Sequence, residues 1–224
     1  MAGQSSPPGP EPLPTCSLCP RLAAFLAESR TTQPAWHNAP VASFGARSAR
    51  VLIVGLAPGL TGANRTGRPF TGDHAGGLLY GTLIEYGFAR GRYEARPDDG
   101  LALVDCMISN AVRCVPPANK PLPAEINTCR RFLTARIDAL PQLAAIVALG
   151  RIAHDSTVTA LGEKKSARPF AHGARHEIRP AGGGSPGLTL FDSYHCSRYN
   201  TNTGVLTPAM FRAVFAAVRD HLGS

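Results

Sequence analysis

The chain reads as α/β, a single domain with a small central parallel sheet sandwiched between helices. Three observations predict this. Short apolar, β-branched runs recur at residues 51–55, 103–108, 144–149 and 188–191, each bounded by turn residues, as expected of strands buried on both faces. Helical spacing of apolar residues fills the stretches 74–86, 124–139, 152–161 and 208–222. Strand and helix therefore alternate, the order that builds a parallel sheet with helices on both faces.

Taken in order, residues 1–14 are rich in Pro, Ser and Gly and are expected to form a disordered tail, with the domain running from 15 to 224. The first strand, 51–55, ends in Gly55-Leu56-Ala57-Pro58-Gly59, whose glycines and proline force a turn. A Gly-rich polar loop follows, and Asp73 stands where a helix beginning at His74 needs an N-cap. The strand 103–108 leads into Asn110-Ala111-Val112-Arg113, the strand 144–149 into Gly150-Arg151, and the strand 188–191 into Ser193-Tyr194-His195-Cys196-Ser197. Residues 163–187, with a basic start and the run Gly182-Gly183-Gly184, read as a loop or a small hairpin. In an open α/β sheet ligands bind outside the carboxyl ends of the strands, so these exits hold the candidate chemistry.

At 224 residues the chain is long enough to bury one substantial core. No apolar run approaches the roughly 20 residues that span a bilayer, and the start lacks the order of a secretory signal, so a cytoplasmic protein without a membrane partner is expected. A formal charge of +8 favours an anionic partner such as nucleic acid. The stretch Gly62-Ala63-Asn64-Arg65-Thr66-Gly67-Arg68-Pro69 spaces its glycines like a P-loop but puts Arg-Pro where Lys-Ser/Thr is required, which excludes that nucleotide site. No strand is followed by G-x-G-x-x-G, so dinucleotide binding has no support either.

Six cysteines in such a chain point to metal or redox chemistry rather than disulfides. Cys16 and Cys19 form a C-x-x-C pair, and Cys114 and Cys129 offer two more thiolates from distant segments. Spacing alone leaves zinc and an iron-sulfur cluster both open. Cys106 lies inside an apolar strand. Cys196 follows His195, and a Cys-His hydrolase is disfavoured because adjacent residues on extended chain point to opposite sides.

The ordered set GLAPG (55–59), GANRTGRPFTGD (62–73), NAVRC-PP-NKP (110–121) and SYHCSRYNTNTG (193–204) resembles the uracil-DNA glycosylases. Leu56 stands where the better-known iron-sulfur family has an acidic residue, so the resemblance is to the other iron-sulfur family, called family five or type b. It implies a structural four-iron, four-sulfur (4Fe-4S) cluster on Cys16, Cys19, Cys114 and Cys129. It also implies hydrolysis of the glycosidic bond of uracil in DNA, with tolerance of other deaminated bases.

Within that reading, Phe70 is expected to stack on a base swung out of the helix, a movement that costs a few kcal/mol of unstacking. Asn110 can both accept and donate, as the edge of uracil requires. Gly55, Leu56, Ala57 and Gly59 complete the base pocket. Bond breaking leaves an electron-poor sugar and an anionic base, so Asp73 is expected to orient or activate water and His195 to hydrogen-bond the departing base. Arg65, Arg68, Arg113, Lys120 and Arg198 are expected to meet phosphates. The segment Ser197-Arg198-Tyr199 is expected to enter the minor groove. The protein is expected to act as a monomer on double- and single-stranded uracil-containing DNA. The competing reading is a zinc-stabilised, non-catalytic DNA-binding protein.

Overall fold

A computed structural model describes residues 10–178 and 187–223. In chain order it contains α1 (Pro20–Thr32), β1 (Phe44–Gly45), β2 (Val51–Gly55), α2 (Ala63–Thr66), α3 (His74–Glu85), β3 (Ala89–Arg90), β4 (Ala102–Leu103), β5 (Cys106–Asn110), α4 (Pro123–Asp138), β6 (Ala145–Leu149), α5 (Arg151–Ala160), β7 (Arg175–Ile178), β8 (Leu188–Ser193), α6 (Arg198–Asn202) and α7 (Pro208–Leu222). The main sheet has the order β1-β5-β2-β6-β8-β7. Its four central strands are parallel, with Ile53 of β2 opposite Ile108 of β5 and Val147 of β6, and Val147 opposite Phe191 of β8. This is the expected small central parallel sheet, and an antiparallel strand is added at each of its edges. None of the described helices is long and apolar enough to cross a membrane.

Alternation along the strands divides the core. Val51, Ile53, Ile108, Val147 and Phe191 face one side, where Leu79 and Leu83 of α3 and Phe211, Phe215 and Val218 of α7 pack on them. Leu52, Val54, Met107, Ile146 and Leu190 face the other, against Leu133 of α4 and Ala153 and Val158 of α5. Each such buried side chain contributes about 1.5–3 kcal/mol. The helices start where their caps stand. Thr207 accepts from the Met210 N–H at 3.2 Å and Pro208 opens α7, while Glu125 reaches back to the Leu122 N–H at 2.7 Å to open α4. Glu125 is also bidentate with Arg21, which clips α1 to α4.

The stretch 103–108 is not one strand. Leu103 ends β4, which pairs with β3 in a separate ribbon, and the chain turns at Asp105 (φ +56°) before β5 begins. Asp105 is held there by Arg50, whose Nε lies 2.7 Å from Oδ2. Residues 163–187 do contain a hairpin partner: β7 runs antiparallel to β8. The run Gly182-Gly183-Gly184 lies outside the described residues, as do residues 1–9 of the expected tail. Within residues 10–14, Glu11 pairs with the buried guanidinium of Arg113 at 3.0 Å and with Arg136, and the Pro10 carbonyl accepts from Arg113, while Leu13 is exposed. Helix α1 was not anticipated from spacing, and only Leu22, Leu26 and Ser29 of it are buried.

Candidate active site

The carboxyl ends of β2 and β5 and the segment following β8 open into a cavity of about 500 Å³. Leu56, Ala57, Gly59, Phe70, Asp73, Asn110, His195, Ser197 and Arg198 all line it, so residues separated by up to 142 positions in sequence meet there. Gly55 lies beneath them. A Cβ there would come within 2.4 Å of Asn110 Oδ1 and 2.6 Å of Phe70 Cζ, so only glycine lets these two side chains share the floor.

Phe70 holds a left-handed backbone, φ +53°, which a bulky residue adopts only when its surroundings impose it. The restraint is visible. Tyr80 donates to the Pro69 carbonyl at 2.7 Å, Tyr93 donates to the Phe70 carbonyl at 3.1 Å, and the two tyrosine rings stack with centroids 4.7 Å apart. Gly76 closes the packing, since a Cβ on it would fall 2.0 Å from the Phe70 carbonyl oxygen. The Phe70 ring in turn faces the His195 ring at 5.8 Å, with 28° between their planes.

Asp73 has two roles in space. Its Oδ1 accepts the Gly76 N–H at 3.2 Å and caps α3. Its Oδ2 lies against Gly59 and Gly62, with room only because Gly62 lacks a side chain: a Cβ there would approach to 2.7 Å. Burial raises the carboxyl pKa, and the Gly76 and Ala75 amides and His74 oppose that rise. For His195, burial pushes the imidazole down to about 4, so at neutral pH it is an uncharged ring able to donate one hydrogen bond. Asn110 is 3% exposed, and among the described residues its Oδ1 has no hydrogen-bond partner.

Two arginines expected at phosphates are elsewhere. Arg68 is 5% exposed and forms a bidentate pair with Asp99 at 2.8 and 2.7 Å, and its Nε also donates to Thr71 Oγ1. Arg113 is 1% exposed and spends its guanidinium on Glu11, the Val41 carbonyl and Ser43 Oγ. Both are internal braces, because a buried guanidinium is tolerated only when paired and hydrogen-bonded. Arg65, Lys120, Arg198 and Tyr199 are exposed, and Ser197 caps α6 by accepting from the Asn200 N–H at 3.3 Å. The thiol of Cys196 is fully buried and its pKa is pushed up to about 12, which removes it as a nucleophile.

Cys114 and Cys129 gather with Cys16 and Cys19 in a third cluster against Leu22, Leu26 and Phe132, around a small void at the amino end of α1. The Arg113 N–H donates to Cys129 Sγ at 3.3 Å. None of the four is paired in a disulfide, and burial pushes the Cys114 thiol up to about 12 and that of Cys129 up to about 11.

Sequence reasoning missed Gly62, Gly76, Tyr80, Tyr93 and Asp99, none of which touches a substrate by spacing rules. It also passed over the cavity residues Thr61, His74 and Asn119. A usable signal existed for Gly62 and Asn119, which lie inside the quoted motifs, and for His74, which directly follows Asp73.

The Uracil DNA glycosylase superfamily profile matches residues 42–219. Over 217 residues the chain is 45% identical to the type-5 uracil-DNA glycosylase of Thermus thermophilus, covering 94% of this chain and 95% of that one. It is 37% identical over 217 residues to the type-5 uracil-DNA glycosylase of Mycobacterium bovis, covering 93% and 78%. Against the type-4 uracil-DNA glycosylase of Pyrobaculum aerophilum it is 33% identical, over 59% of this chain and 60% of that one. Since the profile match runs through the strands beneath the cavity and every loop that walls it, the chain belongs to the uracil-DNA glycosylase superfamily.

Proposed function

We propose that this protein is a monofunctional DNA-repair glycosylase that hydrolyses the N-glycosidic bond of uracil in DNA and leaves an abasic site. The observation that carries it is the unpartnered, buried Asn110 oxygen on the floor of the cavity beside Phe70. An unpaired buried acceptor costs about 1–3 kcal/mol, and the N3–H of uracil would satisfy it while the same amide donates to O4. Cytosine presents the reverse pattern. Phe70 offers its face to the base, and the neutral His195 donates to O2 as negative charge develops there. Asp73 Oδ2 orients water toward the sugar and stabilises its positive charge, with Gly59 and Gly62 leaving space beside it. Water rather than an amine is thus the attacking group, which is why the reaction would stop at the abasic site.

The four-cysteine pocket fits a 4Fe-4S cluster as a structural cofactor. A single zinc ion needs its thiolates close around one point, and among the described residues the group of three possible ligands whose atoms all lie within 4.8 Å is His154, His176 and Asp192, not the cysteines. A cluster spreads its four sulfurs over wider corners, and its binding would tie the segment at Cys16 and Cys19 to the core. The exposed Arg65, Lys120, Arg198 and Tyr199 would meet the backbone and groove of double- or single-stranded DNA, with the protein acting as a cytoplasmic monomer.

Purified protein incubated with oligonucleotides carrying one uracil, hypoxanthine, xanthine or mismatched thymine tests the reading. Uracil strands should break only after alkali treatment. Intact uracil strands after alkali would overturn it, and breakage before alkali would overturn the monofunctional assignment.

A further inference from the structure

Beyond the His195 wall lies a buried cluster with no place in the chemistry above. His154 of α5 and Asp192 of β8 are both 0% exposed, and His176 of β7 closes the group. His154 Nδ1 lies 2.7 Å from Asp192 Oδ1, and its Nε2 lies 2.7 Å from the Arg168 carbonyl. Both partners can accept, so the arrangement suits a His154 ring that carries hydrogen on both nitrogens, and against the opposing effect of burial the bond to Asp192 raises its pKa. The other carboxylate oxygen accepts from His176 Nε2 at 3.1 Å.

Around this pair the loop before β7 is fastened to the end of β8. The Gly173 N–H donates to the Asp192 carbonyl at 2.9 Å, and the Tyr194 N–H donates to His172 Nδ1 at 3.1 Å. The Phe170 ring sits between His154 and Tyr194, with centroids 5.5 and 6.0 Å away. Helix α5 presses from the other side: the Gly150 N–H donates to the Ser193 carbonyl at 2.7 Å, and a Cβ at Gly150 would lie 3.4 Å from His195 Cβ. A second cavity of about 360 Å³, lined by Gly150, Phe170 and Tyr194, shares His195 and Leu56 with the first, so this ring is a partition with open space on both sides. Its placement depends on the backbone two and three residues earlier.

We propose that the buried His154–Asp192–His176 cluster is a positioning device that fixes the end of β8 and thereby holds the His195 ring against the base pocket. The proposal rests on the reading of His195 as the donor to the departing base. None of the three cluster residues touches that pocket, so they act through His195.

The test measures single-turnover uracil excision and affinity for abasic product DNA in the iron-loaded protein, with Asp192→Asn, His176→Ala and His195→Ala alone and combined. Misplacing a reacting group by about 1 Å costs on the order of 10²-fold. Asp192→Asn should therefore slow excision by about 10–100-fold with product affinity within about threefold, and should add nothing to His195→Ala. His176→Ala, which removes only the bond at the cluster's less buried edge, should show a smaller loss of the same non-additive kind with an unchanged melting temperature. It keeps the test decisive if Asp192→Asn fails to fold. An undiminished rate in both variants, or losses that multiply with that of His195→Ala, would overturn the proposal. So would one equivalent of zinc held by the wild-type protein and lost in His154→Gln, which would make the cluster a metal centre. Wild-type excision by His195→Ala itself is a different result: it removes the reading of His195, and the positioning role with it.

Discussion

Gly55 and Asn110 share one space: where a Cβ on Gly55 would sit, the Asn110 Oδ1 lies 2.4 Å away. The two residues end adjacent parallel strands and stand directly opposite in register. Gly55→Ala must displace Asn110, Phe70 or the strand itself. Uracil excision should fall by on the order of 10²-fold, because a shift of about 1 Å in the base pocket is enough for that loss. Overpacking should cost about 1–3 kcal/mol of stability. Single-turnover kinetics beside a urea melt measures both, and unimpaired excision would remove Asn110 and Phe70 from the base pocket.

Cys16→Ala and Cys129→Ala should each lose iron and the visible absorbance of the cluster, together with most soluble protein. Metal binding energy is folding energy where ligands come from separate segments, here the turn before α1 and the middle of α4. Cys106→Ala, in β5 and outside the cluster, should keep its iron. Iron and sulfide determination on the purified variants decides it, and full iron content in Cys129→Ala would contradict the ligand set.

The parts of this molecule legible in sequence are those written locally. Buried strands announce themselves as apolar runs, Asn110 and His195 stand at strand exits, where an α/β sheet must put its ligand, and Phe70 and Asp73 stand in the Gly-rich loop that leads from β2 to α3. Charge was legible too, but burial was not. Arg68 looks like a phosphate anchor until Asp99, 31 positions away, closes on it, and Arg113 until Glu11 does, 102 positions away. Long-range pairing of this kind leaves no periodic trace. The left-handed Phe70 is hidden for the same reason, since nothing beside it in sequence requires that conformation and Tyr93, which helps to hold it, comes 23 positions later.

The depressed pKa of His195 makes a prediction for stability. From the ordinary 6.5 down to about 4, the unfolded chain takes up a proton that the native cavity refuses. This group's contribution is therefore fully present above 6.5 and is lost as pH falls through the window to about 4. Asp73 works in the opposite direction, because its raised pKa lets the folded state take up a proton more readily than the unfolded chain. The difference between wild type and His195→Gln isolates the histidine. Urea midpoints at pH 7 and pH 5 should diverge more for wild type than for the variant, and equal slopes would show that the imidazole is not desolvated.

Asp73 caps α3 through Oδ1 and faces Gly59 and Gly62 through Oδ2, and two substitutions separate these roles. Asparagine is as good an N-cap as aspartate, so Asp73→Asn keeps the bond to Gly76 and removes only the charge. The fold should be unharmed, and with the buried carboxylate gone it should be slightly more stable at neutral pH, as the raised pKa requires. Asp73→Ala removes the cap as well and should cost a further 0.5–2 kcal/mol or about that. If the carboxylate stabilises the developing sugar cation, both variants should lose excision by on the order of 10²–10³-fold, since electrostatic groups aimed at a transition state contribute that much. Affinity for abasic product should stay close to wild type in both. Single-turnover excision by Asp73→Asn within about threefold of wild type would be too small a loss for such a role and would leave Asp73 as a helix cap alone.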